Sequence, residues 1–353
     1  MLKLGGMPKG KNFLICLLIF VVAVGAVLWH RPVQDSKKKV PVTSSKICPS
    51  GFVMIPGDPM HKTDDFCVMK YDAKCTNTDP SCVTKEGVYK NNESGCACQG
   101  NFQIVSTPTG MPVTYIPEDD GTSGSAKAYC QNAGWHLMTN SEWMTIARNV
   151  AEVPANWCDK DGTNCGNPPG TLGKILANGH NDLFPNKALP AGTDDQPCFG
   201  TTADESGKCG SKSSQKRTLI LNNGEIIWDF AGNVWQWVDV VVLRNNEPHT
   251  SAPARGLGWS LWLWSEFSAV PFDEDYSPSN PNWDSSNGVG RIFHYNLIGD
   301  TDATVYTFIR GGNWRHGADS GVFTVHMQPF PGKPNIDDIG FRCVTFPVSK
   351  GHF

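Results

Sequence analysis

The sequence has little net charge and lacks the motifs that mark common enzyme classes. Its 30 lysine and arginine residues against 34 aspartate and glutamate residues give a formal net charge of -4. Binding to the phosphates of a nucleic acid needs a positively charged surface, so this balance argues against a nucleic-acid partner. The chain also has no phosphate-cradling glycine loop, nucleophile elbow or paired-carboxylate motif. Nucleotide-dependent and hydrolytic chemistry are therefore not indicated.

Helical periodicity is also scarce, and residues 151–227 form one long segment with weak patterning. Glycine, proline and tryptophan are abundant instead, at 36, 25 and 12 of 353 residues. Turns use glycine and proline, and large aromatic side chains pin long loops to a small core. This composition favours a loop-rich globular fold over a helical bundle. The length suffices for one sizeable core.

One long apolar run lies near the N-terminus, at residues 13–29, with lysines before and after it. Its 17 residues are at the lower limit for a membrane-spanning helix and are many for a signal-peptide core. We therefore predict a membrane anchor or signal segment at residues 1–30, a stalk at 31–47 and a head domain at 48–353. An uncleaved single-pass anchor at the cell membrane is favoured, and a secreted protein is the alternative.

Twelve cysteines lie outside the apolar run, which is an even number. Disulfides form in oxidising compartments, so the head domain is predicted to be extracellular. The simplest local pairs are Cys158 with Cys165 and Cys198 with Cys209. Six further cysteines allow fifteen pairings, which stay open: Cys48, Cys67, Cys75, Cys82, Cys96 and Cys98.

Residues 125–149 carry the clearest helical pattern. Apolar residues recur at three- and four-residue steps from Ala126, and Gly134 is expected to end this helix. A second helix is predicted to begin at the TNSE sequence from Thr139, with an apolar stripe on one face.

The C-terminal stretch, residues 308–344, has two glycine-containing ends and an alternating middle. It opens with RGGNW (310–314) and closes with IGFRC (339–343). Over residues 322–328 apolar and polar side chains alternate, as in a half-buried strand. Phe323, Val325 and Met327 are predicted to face the core. Thr324, His326 and Gln328 are predicted to face solvent.

These two motifs, together with DFAGNVWQW (229–237), resemble the formylglycine-generating-enzyme type of the C-type lectin fold over roughly residues 51–344. The resemblance implies an α+β fold with two helices, short antiparallel sheets and long loops. It also implies a disulfide that ties the first helix to the last strand, between Cys130 and Cys343. More narrowly, the C-terminal stretch is similar to the ligand-binding variable proteins of diversity-generating retroelements. In these proteins the displayed residues are diversified by adenine-directed mutagenesis.

The enzymes of this family oxidise a substrate cysteine with copper and two thiols near the end of the fold. Here residues 240–342 contain no cysteine, so the soft ligand for copper and the mixed-disulfide step are both missing. We therefore predict a protein that is not an enzyme and needs no cofactor. The alternatives are a sulfatase-modifying-factor-type oxidase with an atypical site, and a structural surface protein.

The resemblance also bears on calcium. In the family the sequence GNVWEW borders a bound calcium ion, with the glutamate as a ligand, and Gln236 stands at that place here. An amide oxygen brings no charge, so Asn233 and Gln236 form at most a weak structural calcium site. A purely structural role for both amides is the other interpretation.

The predicted binding region covers about residues 290–343, and its ligand is an unknown protein or cell-surface component. Its polar and aromatic side chains share no packing pattern, and such mixed sets are typical of contact surfaces. Three of them, the histidines, could instead form a metal site. The predicted ligand-binding residues are His294, Tyr295, Arg315, His316, Asp319, His326, Gln328, Phe330, Lys333, Asp337 and Asp338.

Overall fold

The computed structural model describes residues 46–76, 103–159, 164–202, 215–243, 261–296, 305–329 and 338–349. These residues lie within one unit, Ser44–Phe353. The predicted membrane segment and nearly all of the stalk fall outside them. Among the residues described, no helix is both long and apolar enough to cross a bilayer.

The described part of the chain has two α-helices, Ala126–Asn132 (α1) and Asn140–Glu152 (α2). Its strands are β1 (Lys46–Ile47), β2 (Phe52–Ile55), β3 (Phe66–Met69), β4 (Lys74–Cys75), β5 (Ile104–Val105), β6 (His136–Leu137), β7 (Trp157–Asp159), β8 (Lys174–Leu176), β9 (Thr218–Ile220), β10 (Ile226–Trp228), β11 (Trp235–Leu243), β12 (Leu261–Ser265), β13 (Ile292–Asn296), β14 (Val305–Arg310), β15 (Val325–Pro329), β16 (Ile339–Phe341), β17 (Cys343–Thr345) and β18 (Val348–Ser349).

Both predicted helices are confirmed, and each begins at a side-chain cap. Ser125 accepts a hydrogen bond from the backbone N–H of Ala128 at the start of α1. At the start of α2, Thr139 and Glu142 form a reciprocal capping box, which satisfies backbone N–H groups that have no partner within the helix. Gly134, with φ of 79°, lies between the two helices as expected.

Two sheets carry the architecture. The larger has the order β12-β13-β15-β14-β11-β16, and the smaller has the order β2-β3-β17-β6. Trp143 of α2 lies in the core, where its ring stacks on Phe230 with centroids 4.0 Å apart. Its indole N–H donates to the carbonyl of Val322 at 2.7 Å, which ties α2 to the turn before β15. Helix packing therefore fixes the position of the C-terminal strands.

The prediction that Thr324 and His326 face solvent is wrong. Thr324 and His326 are 0% and 1% exposed, so both faces are buried. The reason is that β15 lies inside the sheet between β13 and β14, while Trp235 and Phe293 cover the face that carries His326. Alternation distinguishes two faces of a strand but does not show that one of them meets water.

The disulfide implied by the family resemblance is confirmed, since Cys130 and Cys343 are bonded with Cα atoms 5.4 Å apart. The local pair of Cys158 and Cys165 is also confirmed. Among the cysteines left open, Cys48 pairs with Cys67. Cys75 and Cys198 are disulfide-bonded as well. Cys209, the predicted partner of Cys198, lies outside the described residues. Such bridges are typical of an extracellular or secreted domain.

Candidate functional site

The loop that follows β14 is closed tightly on itself. Gly311 and Gly312 have φ of 89° and 80°, a region that favours glycine. A Cβ atom on Gly312 would lie 2.7 Å from the Cα atom of Ser320, so the two ends of the loop touch. Gly321 N–H donates to the Gly311 carbonyl at 3.1 Å and closes the loop. The glycines of RGGNW therefore permit a close backbone approach at the base of residues 311–320.

Arg310, the last residue of β14, directly precedes this loop and is fully buried. Its guanidinium donates to the carbonyl of Phe323 at 3.2 Å, to the carbonyl of Asp275 at 3.1 Å, and to the side-chain oxygen of Asn140. Burial lowers the pKa of Arg310 to about 9. At neutral pH the group is still charged, so its role is to join the loop to α2 and to the segment around Asp275.

Asn313 organises the side chains at the front of the loop. Its side-chain oxygen accepts the backbone N–H of Arg315 at 2.9 Å and contacts the His316 ring nitrogen. Its amide nitrogen donates to the carboxylate of Asp338. Asn313 is itself fully buried, so this geometry is part of the core. The buried amide of Asn313 thus contacts Arg315, His316 and Asp338, although Asp338 lies 25 residues further along the chain.

The side chains that project from the loop differ in exposure and charge. Arg315 is exposed, and its guanidinium lies 4.9 Å from the centroid of the Trp314 ring. His316 and Asp319 are half-buried. Asp319 accepts a charged hydrogen bond from Arg291 at 2.7 Å. Burial raises the pKa of Asp319, and the adjacent Arg291 opposes that rise.

Arg291 is a residue that sequence reasoning missed. It bridges Asp319 to Glu266, which also accepts the backbone N–H of Ser285 at 2.9 Å. The sequence contains no local signal for this bridge, because its partners are 25 and 28 residues away from Arg291. The ion pairs fix the side of the loop that lies next to β13.

Three aromatic side chains pack around His316, those of Trp235, Trp264 and Phe293. The ring centroid of Trp235 is 5.1 Å from His316 and 5.7 Å from His326, and Phe293 lies 5.7 Å and 5.5 Å from the same two rings. Trp264 contacts both Phe293 and His316. Burial, assisted by the charge of the adjacent arginine, lowers the pKa of His316 to about 4. The imidazole is therefore neutral at physiological pH and behaves as part of an aromatic cluster.

The predicted site residues divide into three groups. Arg315, His316 and Asp319 lie on one loop and reach the surface. His326 and Asp338 adjoin this loop but are 1% and 6% exposed, so their predicted display on the surface is wrong. The packing reasons are the aromatic cover over His326 and the hydrogen bond from Asn313 to Asp338.

The third group consists of residues whose side chains lie outside the described part of the structure. Phe330, Lys333 and Asp337 lie outside the described residues, and His294, Tyr295 and Gln328 are described only as backbone within β13 and β15. Over the described part of the chain, no three histidine, cysteine or acidic side chains form a group able to hold a metal ion.

The two amides considered for calcium are fully buried and bonded to protein groups. The side-chain oxygen of Asn233 accepts the backbone N–H of Leu189 at 2.8 Å. The oxygen of Gln236 accepts the Arg342 Nε–H at 2.8 Å, and its amide nitrogen donates to the carbonyl of Asp229 at 2.8 Å. A cation at Gln236 would have to displace a guanidinium that repels it. This geometry favours the structural interpretation of both amides.

The helix pair, the two short sheets and the bridge from α1 to β17 define an α+β C-type lectin fold of the formylglycine-generating-enzyme type. Residues 50–346 match the model of the sulfatase-modifying factor enzyme 1-like domain. The chain belongs to this family. No curated protein matches the chain significantly.

Proposed function

We propose that the head domain is a non-catalytic ligand-binding module, and that its contact surface is built on the loop of residues 313–319. The observation that carries this proposal is the contrast within that loop. Its backbone is fixed by buried groups such as Asn313, while Arg315, His316 and Asp319 differ in chemistry and reach the surface. A rigid loop with outward side chains can bind a ligand specifically, because little of its backbone has to be ordered when the ligand binds.

The distribution of cysteine supports a binding role over oxidation chemistry. Residues 240–342 contain no cysteine, and every cysteine described in the structure is disulfide-bonded. The reactive form in thiol chemistry is the thiolate, which a disulfide does not provide. The described residues around the loop therefore offer ion pairs, an aromatic cluster and an arginine, which are contact groups rather than a thiol pair.

We propose that the domain is displayed at the cell surface through the apolar segment at residues 13–29, with secretion as the alternative. The disulfide bonds support an oxidising compartment. Fractionation of cells that produce the full chain tests this point. Recovery in the membrane fraction, with the head accessible to protease added outside, is the expected result. Recovery in the medium would favour secretion.

The finer proposal is that a diversity-generating retroelement varies the exposed positions of the loop. Substitution at an exposed site usually changes stability by less than about 0.5 kcal/mol, so Arg315 could vary at little cost. His316 and Asp319 are half-buried and bonded to the frame, so variation there would cost more. His326 is less suited to variation because it is buried between aromatic rings. The test is the neighbouring DNA. A reverse-transcriptase gene beside a near-copy of the 3′ end that differs at adenines is expected, and its absence would refute diversification.

Binding is tested by panning a displayed library of random peptides against the immobilised full chain. Sequence-convergent peptides are expected, and replacing Arg315, His316 and Asp319 together by alanine should weaken them by about tenfold or more. Glu152→Ala and Glu225→Ala are controls, since both side chains are exposed and lie outside the loop. Peptides that bind the triple variant as well as the wild type would refute the proposed surface.

Catalysis is tested separately on the same full chain. The copper content and the oxidation of a cysteine-containing peptide are measured in air, with added copper as a second condition. No oxidation above the rate of free copper is expected. Turnover that depends on the protein would overturn the non-catalytic proposal whatever the panning result.

A further inference from the structure

The loop between β2 and β3 carries an aspartate–proline bond close to a histidine. Its sequence from Gly57 reads GDPMH, so His61 lies two residues beyond Pro59. Two hydrogen bonds close residues 58–63 into a compact turn. The backbone N–H of Thr63 donates to the Asp58 carbonyl at 3.1 Å, and the N–H of Asp58 donates to the Thr63 hydroxyl at 2.9 Å. The loop therefore has a fixed shape around one peptide bond.

The side chain of Asp58 is bent back over the bond that follows it. Its Oδ1 atom accepts the backbone N–H of Met60 at 2.8 Å. The ring that this hydrogen bond closes contains the Asp58–Pro59 peptide bond, so the carboxylate is held close to its own backbone carbonyl. The N–H of Thr63 polarises the oxygen of that same carbonyl. A nucleophile and a polarised carbonyl group thus share one turn.

His61 is buried without a hydrogen-bond partner. Its side chain is 0% exposed, and among the described residues neither ring nitrogen is hydrogen-bonded. Its Nε2 atom lies 3.8 Å from Oδ2 of Asp58. Burying a polar group without a partner costs free energy, so folding alone does not account for an imidazole at this position.

Charged groups from three segments face His61. Arg148 belongs to α2, Asp58 to the loop itself, and Glu274 and Asp275 to the segment around residue 275. Burial and the charge of Arg148 lower the pKa of His61, and the three carboxylates oppose this shift. The imidazole is therefore neutral at neutral pH and gains its proton as the pH falls below its ordinary value of 6.5.

We propose that the chain cleaves itself between Asp58 and Pro59, with the Asp58 carboxylate as nucleophile and His61 as proton donor. Oδ2 of Asp58 attacks the carbon of its own backbone carbonyl and forms a five-membered cyclic anhydride. The carbon–nitrogen bond to Pro59 breaks, and the proline nitrogen takes a proton from the His61 imidazolium and leaves as a secondary amine. Water then opens the anhydride to a C-terminal aspartate, and the acid so formed returns a proton to His61. The sum is hydrolysis of one peptide bond, with water as the co-reactant.

The residue types match this chemistry. Aspartate gives a five-membered ring, and proline provides a tertiary amide whose nitrogen leaves as a basic secondary amine. Water has a route to the anhydride, because a cavity of about 200 Å³ borders Gly57 and Asp58. The Asp58 side chain is itself 26% exposed.

The disulfide between Cys48 and Cys67 spans the proposed cleavage site. Cleavage alone would therefore leave residues 1–58 covalently attached to residues 59–353. Strand β2 would also stay paired with β3. The N-terminal segment would separate from the rest of the head domain only after reduction of this disulfide. The inference goes beyond the proposed ligand binding and does not depend on it.

The full chain contains its own reference, a second aspartate–proline bond at Asp79–Pro80 with no histidine two residues later. The purified chain is incubated with protease inhibitors between about pH 7.5 and about pH 5, where histidine changes its charge. Fragments are identified by mass spectrometry after reduction. The Asp58–Pro59 bond is expected to break about 100-fold faster than the reference, with a rate that rises as pH falls. Without reduction the two pieces should migrate as one band.

Two variants separate the chemistry from the fold. Asp58→Asn keeps an oxygen that can accept the Met60 N–H but removes the carboxylate, so cleavage at this bond should be lost. His61→Gln should slow cleavage by about 100-fold or more, because positioned proton donors contribute about that much. Asp64→Asn is the matched control, since Asp64 is an exposed carboxylate of the same loop, and it should leave the rate unchanged. Unfolding in urea should make the rates at the two aspartate–proline bonds equal.

Hydroxylamine tests for the anhydride itself. It should convert the C-terminal Asp58 of the wild-type fragment to a hydroxamate. Equal rates at the two aspartate–proline bonds of the folded chain would overturn the proposal, as would a wild-type rate in Asp58→Asn or in folded His61→Gln. If His61→Gln does not fold, the comparison of the two bonds within the wild-type chain still decides.

Discussion

Replacing Gly312 with alanine tests whether the contact loop has a rigid frame. An alanine at this position must adopt φ of 80°, which costs on the order of 1 to 2 kcal/mol for a residue with a Cβ atom. The new Cβ would also lie 2.7 Å from the Cα of Ser320, a backbone atom that cannot rotate away. Overpacking of this kind usually costs about 1 to 3 kcal/mol more. We expect a total loss of about 2 to 5 kcal/mol in the free energy of unfolding.

Gly134 supplies the matched control. Its φ is 79°, almost the same as that of Gly312, but no heavy atom lies within 4 Å of a Cβ built there. Gly134→Ala should therefore lose only the backbone contribution, about 1 to 2 kcal/mol. The difference between the two variants isolates the close approach between Gly312 and Ser320 from the shared cost of the left-handed backbone.

The measurement is urea unfolding of the full chain under non-reducing conditions, followed by tryptophan fluorescence. Unchanged denaturant slopes would show that both variants lose stability rather than change the unfolded state. Binding of the selected peptides is measured in parallel, and only Gly312→Ala is expected to weaken it. If the two variants lose equal stability within about 0.5 kcal/mol, the tight closure of the loop is refuted.

Three other predictions concern a bridge and two histidines. Replacing Cys130 and Cys343 with alanine should lower the unfolding free energy by about 5 kcal/mol on the chain-entropy model, because the bridge closes a separation of 213 residues. Removing the short bridge, of separation 7, should cost about half as much in the same urea assay, and equal losses would contradict the model. His136 is partly buried, which by itself would lower its pKa, but its 2.8 Å contact with Glu142 raises the pKa above 6.5. This contact therefore stabilises the fold below that pH, and the stabilisation is lost as pH rises through the folded value. Melting temperatures across this range should fall less in Glu142→Gln, which keeps the cap, and an unchanged pH dependence would refute this assignment. An NMR titration should place the pKa of His316 near 4, because of its burial and the adjacent guanidinium, and a value near 6.5 would show that the ring is solvated.

Much of the frame could be predicted from local sequence patterns, because those patterns act over a few residues. The capping sequence at Thr139 gives α2 its first turn, and Gly134 separates the helices. The RGGNW and IGFRC motifs, through their resemblance to a known family, indicated the fold and the bridge between Cys130 and Cys343. Each of these features depends on backbone conformation or on a family pattern that is visible in the chain itself.

The site was less predictable, because burial depends on residues that are distant in sequence. His326 has the alternation of an exposed position but is covered by Trp235 and Phe293. Asp338 is drawn inward by the amide of Asn313. Arg291 forms an ion pair with Asp319, which is 28 positions away, and no local sequence pattern predicts such a contact.

The sequence by itself therefore determined the helix starts, the glycine-dependent turns, the absence of cysteine from residues 240–342 and, through resemblance, the family. Tertiary structure alone decided which polar side chains of the C-terminal stretch reach solvent. The physical reason is that backbone conformation follows from nearby residues, whereas exposure is set by whichever distant segments pack on each face.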